Sequence, residues 1–128
     1  MAQASEGFHE STDKLKVGTM DRHRAIVSIM EELEAVDWYD QRVDAATDDE
    51  LRAILAHNRD EEKEHAAMVL EWLRRRDAKL DENLRTYLFS DKSVLGIEEA
   101  MDAAQAGESA GGDDGSLGIG SLRAGGAK

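Results

Sequence analysis

The interruption "DAATDDE" at residues 44–50 constrains this chain most, because apolar residues recur at helical spacing on both sides of it and proline is absent throughout. Before it, Ile26, Ile29, Met30, Leu33 and Val36 predict a helix over 12–42. Gly18 is the internal weak point of that helix, and Thr19 can cap a restarted segment. After it, Leu51, Leu55, Ala66, Val69 and Leu73 share one stripe and predict a second helix over 48–76. Thr47 and Glu50 have capping-box spacing, with Asp48 and Asp49 in the first turn. Arg74, Arg75 and Arg76 fall near the negative C-terminal end. A connection this short makes the two helices antiparallel neighbours.

With 128 residues the chain has room for one domain and tails. Aromatics make up 5% of it, so whatever core it builds is lean. The expected class is all-α: two long antiparallel helices plus a short third helix over 82–89, with Leu80, Leu84, Tyr87 and Leu88 on its apolar side. Residues 1–11 are expected to be flexible, 12–90 to hold the helical hairpin and third helix, and 91–128 to be linker and tail. From Gly107 onward "GESAGGDDGSLGIGSLRAGGAK" is dense in Gly and Ser, the composition of a disordered linker. Leu117, Ile119 and Leu122 punctuate it, as in a peptide that docks on another surface.

A formal charge of -12 argues against nucleic acid as a partner and against anionic membrane surfaces, and favours cations. No apolar run approaches the roughly 20 residues that span a bilayer. The N-terminus lacks the pattern of a signal peptide, and cysteine is absent. A cytoplasmic protein, or one held in a cytoplasmic compartment, is the expectation.

The chemistry concentrates in "NRDEEKEHAAM" at residues 58–68. At about 100° per residue, Glu62 and His65 fall inside the apolar stripe, whereas Glu64 points to the opposite side. Burying a lone carboxylate costs several kcal/mol unless something compensates. E-x-x-H on a helix lets both side chains reach one ion; by itself that spacing is common on exposed helices, and the apolar setting gives it weight. With Ala46 as the middle of the turn, Glu32 and Glu62 lie at heights differing by only about 3 Å. One helix thus offers a Glu and the other a Glu and a His at matching depth. Di-iron carboxylate bundles take one Glu from each of two helices and E-x-x-H from each of the other two. This chain carries half of that set, so two copies about a twofold axis are needed to complete it. The expected product is a four-helix bundle completed by dimerisation, with Glu32, Glu62 and His65 as ligands from each chain. Tyr39, two turns from Glu32 on the same side, is placed to hydrogen-bond a ligand or to pack as an interface aromatic.

"RHRAIVSIMEELEAVDWYDQRVDA", "ILAHNRDEEKEHAAM" and "EWLRR" resemble the encapsulated ferritins, over about residues 22–88. "GSLGIGSLR" at 115–123 resembles the peptide that directs them into an encapsulin shell, which singles out Ser116, Leu117, Gly118, Ile119, Gly120, Ser121, Leu122 and Arg123. The resemblance implies a ferritin-like ferroxidase oxidising Fe(II) with oxygen at a di-iron site shared by two subunits. It further implies a decamer of five dimers, no mineral cavity of the protein's own, and iron delivered for storage inside the nanocompartment. Glu31 and Glu34 match residues that collect cations ahead of the centre; read without the resemblance they are exposed helix charge. His57, Glu61 and Glu64, spaced i, i+4, i+7, match a peripheral site for calcium or other divalent ions. Trp38 is read as packing near the approach path or the interface, and His23 as a plain helix residue. Two other readings stay open: a non-catalytic metal buffer, and a purely structural dimeric hairpin with Glu62 and His65 in a polar network.

Overall fold

A computed structural model describes the backbone of residues 7–111 and the side chains of residues 7–107. All regular elements among the described residues are helical, with no strand: a 3-10 turn at Thr12–Lys14, then α1 (Val17–Ala45), α2 (Asp49–Arg74), α3 (Ala78–Tyr87) and α4 (Val94–Gly111). They divide into two compact units, one ending at Asp81 and one starting at Glu82.

In the first unit α1 and α2 form the expected antiparallel hairpin. The first helix starts at Val17 rather than Thr12, because residues 12–14 close a tighter turn and Leu15 and Lys16 are extended. Gly18 therefore lies in the first helical turn, where it interrupts nothing, and Thr19 caps no restart but accepts from the Arg22 guanidinium at 3.1 Å. Nor is the N-terminal stretch free along its whole length: the Phe8 ring lies 4.4 Å from that of His23 on α1. At the other turn Asp48, not Thr47, is the N-cap, its carboxylate accepting from Leu51 N at 2.9 Å. Arg52 donates to the carbonyls of Val43 and Ala46, tying off the C-terminal end of α1. Farther along, Arg59 of α2 pairs with Asp40 of α1 at 3.0 Å.

The seam between the helices is made of small groups. Ala25, Ala66 and Leu73 are the buried hydrophobic residues, and no large side chain is fully buried among the described residues. Alanines on facing helices permit a close approach. In exchange Ile26, Leu33, Leu51, Ile54 and Met68 stay exposed, Met68 at 59%. Toward the C-terminal end of α2, Arg74 donates to Glu71 at 2.7 Å and to Asp81 in the first turn of α3. Asp77 starts α3 by accepting from Leu80 N at 3.0 Å, so α3 begins at Ala78, four residues ahead of the expected 82.

Residues 94–111, expected to be part of a linker and tail over 91–128, are instead helical. Ser93 accepts from Gly96 N at 3.2 Å and opens an 18-residue helix, α4. Glu98, Ala100, Met101, Ala103 and Ala104 are strong helix formers and carry it onward. Phe89 ends the preceding helix in a left-handed conformation, φ 60°, that L-residues other than Gly and Asn seldom adopt. The peptide-like stretch 115–123 lies outside the described residues.

Candidate metal centre

Helical geometry brings the E-x-x-H pair together, since residues three apart on a helix are surface neighbours. His65 Nδ1 sits 2.9 Å from Glu62 Oε1. The hairpin then supplies the third group. Thr47 is the sequence midpoint between Glu32 and Glu62 and lies in the turn separating α1 from α2, so the two glutamates share a height. His65 Nδ1 is 3.6 Å from Glu32 Oε2. One ligand-type atom from each of Glu32, Glu62 and His65 lies within 4.8 Å of the others, the only such trio of His, Cys, Asp or Glu among the described residues. The carboxylates are the more sheltered groups, at 25% and 24% side-chain exposure against 44% for the imidazole. The open edge of the trio is therefore its histidine side.

The electrostatics are those of a site short of positive charge. A hydrogen bond with the Glu62 carboxylate, then burial, then the Glu62 charge hold the Glu32 carboxyl above its ordinary range, with His65 pulling the other way. Glu62 moves down, first because Glu32 donates to it and next because His65 does. His65 moves up, chiefly through its hydrogen bond with Glu62 and then through the charge of Glu32. Glu32 and His65 thus hold their protons more firmly against the Glu62 acceptor, where a cation could serve all three. Oxygen and imidazole donors together suit first-row divalent metals, iron among them. A metal held here would displace protons, so its affinity would rise with pH.

The other predicted residues divide. Tyr39 is half-buried, its ring 5.4 Å from the Arg42 guanidinium, which also lies 5.9 Å from the Trp38 ring. Within one chain Tyr39 hydrogen-bonds none of the trio. Glu31 is exposed and Glu34 half-buried, on the helix that carries Glu32. His57 Nε2 and Glu61 Oε1 are 3.8 Å apart on the surface, but Glu64 does not join them as a three-ligand group and instead lines a cleft with Met68 and Trp72. His23 is a half-buried helix residue whose recorded ring neighbour is Phe8. Sequence reasoning missed the Arg42 contact with both rings. Its signal was there, in a cation three and four residues beyond two aromatics on one helix.

A two-helix hairpin with a glutamate on one arm and E-x-x-H on the other, meeting at one height, is the repeating half of a ferritin-like carboxylate protein. Comparison with known proteins gives the group more closely. Residues 7–91 match the family described as EncFtn-like. The chain is 65% identical over 132 residues to the "Encapsulated ferritin-like protein" of Rhodospirillum rubrum, covering 96% of this chain and 92% of that one. It is 50% identical over 109 residues to a "Ferritin-like protein" of Thermotoga maritima, covering 85% and 94%. A crystal structure of a Nitrosomonas europaea protein superposes with a TM-score of 0.67 at 61% identity, over 69% of this chain and 97% of that one. The chain belongs to the EncFtn-like family.

Proposed function

We propose that this protein is a ferroxidase, oxidising Fe(II) to Fe(III) with dioxygen at a di-iron site that two copies complete. The observation that carries the reading is the trio Glu32, Glu62 and His65, sheltered, mutually hydrogen-bonded and open on one side. Doubled about a twofold axis it supplies four carboxylates and two imidazoles, the donor set of di-iron carboxylate bundles. Iron is the substrate. Two ferrous ions give up one electron each, and dioxygen takes both electrons with two protons and leaves as hydrogen peroxide. In that reaction Glu32, Glu62 and His65 hold the ions, and Glu32 and His65, whose hold on a proton is raised, give theirs up on binding. Tyr39 steadies a ligand carboxylate across the interface, and Glu31 and Glu34 raise the local cation concentration. His57 and Glu61, with Glu64, offer at most a loose surface site for calcium or another divalent ion.

Exposed Ile26 and Leu33 on α1, and exposed Leu51, Ile54 and Met68 on α2, support assembly. By helical spacing Ile26 and Leu33 fall on the flank away from Tyr39, so the hairpin has apolar contact area on two sides. That supports further association of dimers, with the decamer of five dimers as the expected form. Likeness to a protein named as encapsulated supports an encapsulin shell as the partner, iron storage inside that nanocompartment as the role, and 116–123 as the segment that docks.

A rival reading has an observation of its own: the trio already satisfies its hydrogen bonds without an ion, which a purely structural polar network requires. Ferric-product absorbance after mixing Fe(II), air and protein separates the two. Glu32→Ala, Glu62→Ala and His65→Ala are each expected to slow the rise by on the order of a hundredfold, while Glu64→Ala leaves it near wild type. Equal rates in wild type and all three ligand variants defeat the ferroxidase reading. For the shell, a chain ending before Gly115 is expected to oxidise iron normally yet stay out of a co-expressed encapsulin; packaging of that truncated chain defeats the docking role.

A further inference from the structure

We propose that Arg59 is a positioning residue for the metal centre: paired with Asp40 across the hairpin, it sets the height of Glu32 against Glu62 and His65. The proposal rests on the metal-binding reading of the trio given above. Ala25, Ala66 and Leu73 all lie farther from the turn than the glutamates, so residues 33–61 contribute no buried side chain to the seam. Half-buried apolar groups there hold the helices together without direction, and a directional bond is what opposes sliding. Near the turn Arg52 donates to the Val43 and Ala46 carbonyls. Between that tie and the trio stands the Arg59–Asp40 pair, at 3.0 Å, with the Arg59 side chain only 23% exposed.

The pair is oblique to the helix axes. Asp40 lies seven residues before Thr47 and Arg59 twelve after it, an offset of five residues or about 7.5 Å. Side chains on a helix tilt toward its N-terminus, so Arg59 leans toward the turn, Asp40 leans away from it, and the two meet. An oblique link lengthens or shortens in proportion to any slide of one helix past the other; a level rung barely changes. Glu32 and Glu62 face each other as a level rung, so the trio does not fix its own offset. A slide of one residue, about 1.5 Å, is large against the 3.6 Å between His65 Nδ1 and Glu32 Oε2. The Arg59 guanidinium is also held at a second edge, where Nε donates to Asp60 at 3.1 Å, and Lys63 reaches the same Asp60 oxygen at 3.4 Å. Asp60 and Lys63 flank Glu62 in sequence, so the brace is anchored on the turn of α2 that carries a ligand. With Asp40 at 56% exposure the pair adds little to stability; its use is geometric.

The test titrates the full chain with Co(II), whose visible absorption reports both affinity and ligand geometry, and records thermal melting alongside. Arg59→Ala and Asp40→Ala are each expected to weaken Co(II) binding about fivefold and to change the visible bands, with melting close to wild type. The double variant is expected to bind no more weakly than either single one, since both remove the same link. Arg24→Ala, which breaks an exposed ion pair with Asp21 inside α1, is expected to leave binding and bands unchanged. Wild-type affinity and bands in both single variants, or losses that add in the double variant, overturn the proposal and leave the ferroxidase reading intact. Weaker binding with unaltered bands and a matching fall in melting also overturns it, because that is what a purely structural pair would do. Wild type that takes up no Co(II) overturns both readings.

Discussion

The hairpin and the stretch from Glu82 to Gly111 are both helical, yet they are held by different means. In the hairpin, α1 and α2 pack on each other, and tertiary contacts fix the heights of Glu32, Glu62 and His65. From Glu82 onward no described side chain is buried; Val94 and Leu95 are exposed at 60% and 70%, and Phe89 is fully exposed in a left-handed conformation. Helices there rest on local devices, namely the Ser93 cap and alanine-rich composition. The difference teaches where function can sit. A trio of ligands needs groups from distant positions held at fixed separation, and only the hairpin does that.

Overfilling the seam tests this contrast most severely. Ala66→Leu inserts three carbons where α1 and α2 meet, next to His65. It is expected to destabilise the hairpin by about 1–3 kcal/mol and to weaken metal binding, read by thermal melting and metal titration. An equivalent change on α4, Ala103→Leu, is expected to leave melting within about 0.5 kcal/mol.

Next in size is Phe89→Gly. Release from the left-handed conformation is expected to stabilise the chain by about 1 kcal/mol, measured by denaturant unfolding. A loss of stability instead would mean that the Phe89 ring is covered by something in solution, and the comparison between the two regions would have to be redrawn.

The smallest effect is electrostatic. Hydrogen bonds from Arg74 and then Arg75 pull the Glu71 carboxylate down from its ordinary 4.5 to about 2. A depressed carboxylate stabilises the fold fully above its unfolded pKa and loses that contribution as pH falls through the folded value. Wild type is therefore expected to lose melting temperature between pH 4.5 and pH 2 more steeply than Glu71→Gln, which starts lower and changes less. Parallel profiles would show that the Arg74–Glu71 pair adds nothing to the hairpin's end.

What could be read in advance follows the same division. Helix α2 was legible because Leu51, Leu55, Ala66, Val69 and Leu73 keep helical period, and the trio was legible because Glu62 and His65 interrupt that period with charge. Equal spacing about the turn then pointed to Glu32. Helix α4 was not legible from periodicity, since its apolar residues serve no packed face among the described residues; Ser93 ahead of Val94 was the available cue, and nearby glycines hid it. The Thr47 capping box failed because Asp48, one residue on, offers a carboxylate to Leu51 N. Start points such as Val17 depended on backbone geometry that no side-chain pattern encodes.

The alanine seam has a consequence for the life of a newly made copy. Ala25, Ala66 and Leu73 alone give little cohesive reserve, so if two copies pair as proposed, durability grows with the number of chains present. On the proposed pairing, a copy that finds no mate is the one that proteases reach first, and cellular abundance would then follow encounter frequency as well as synthesis.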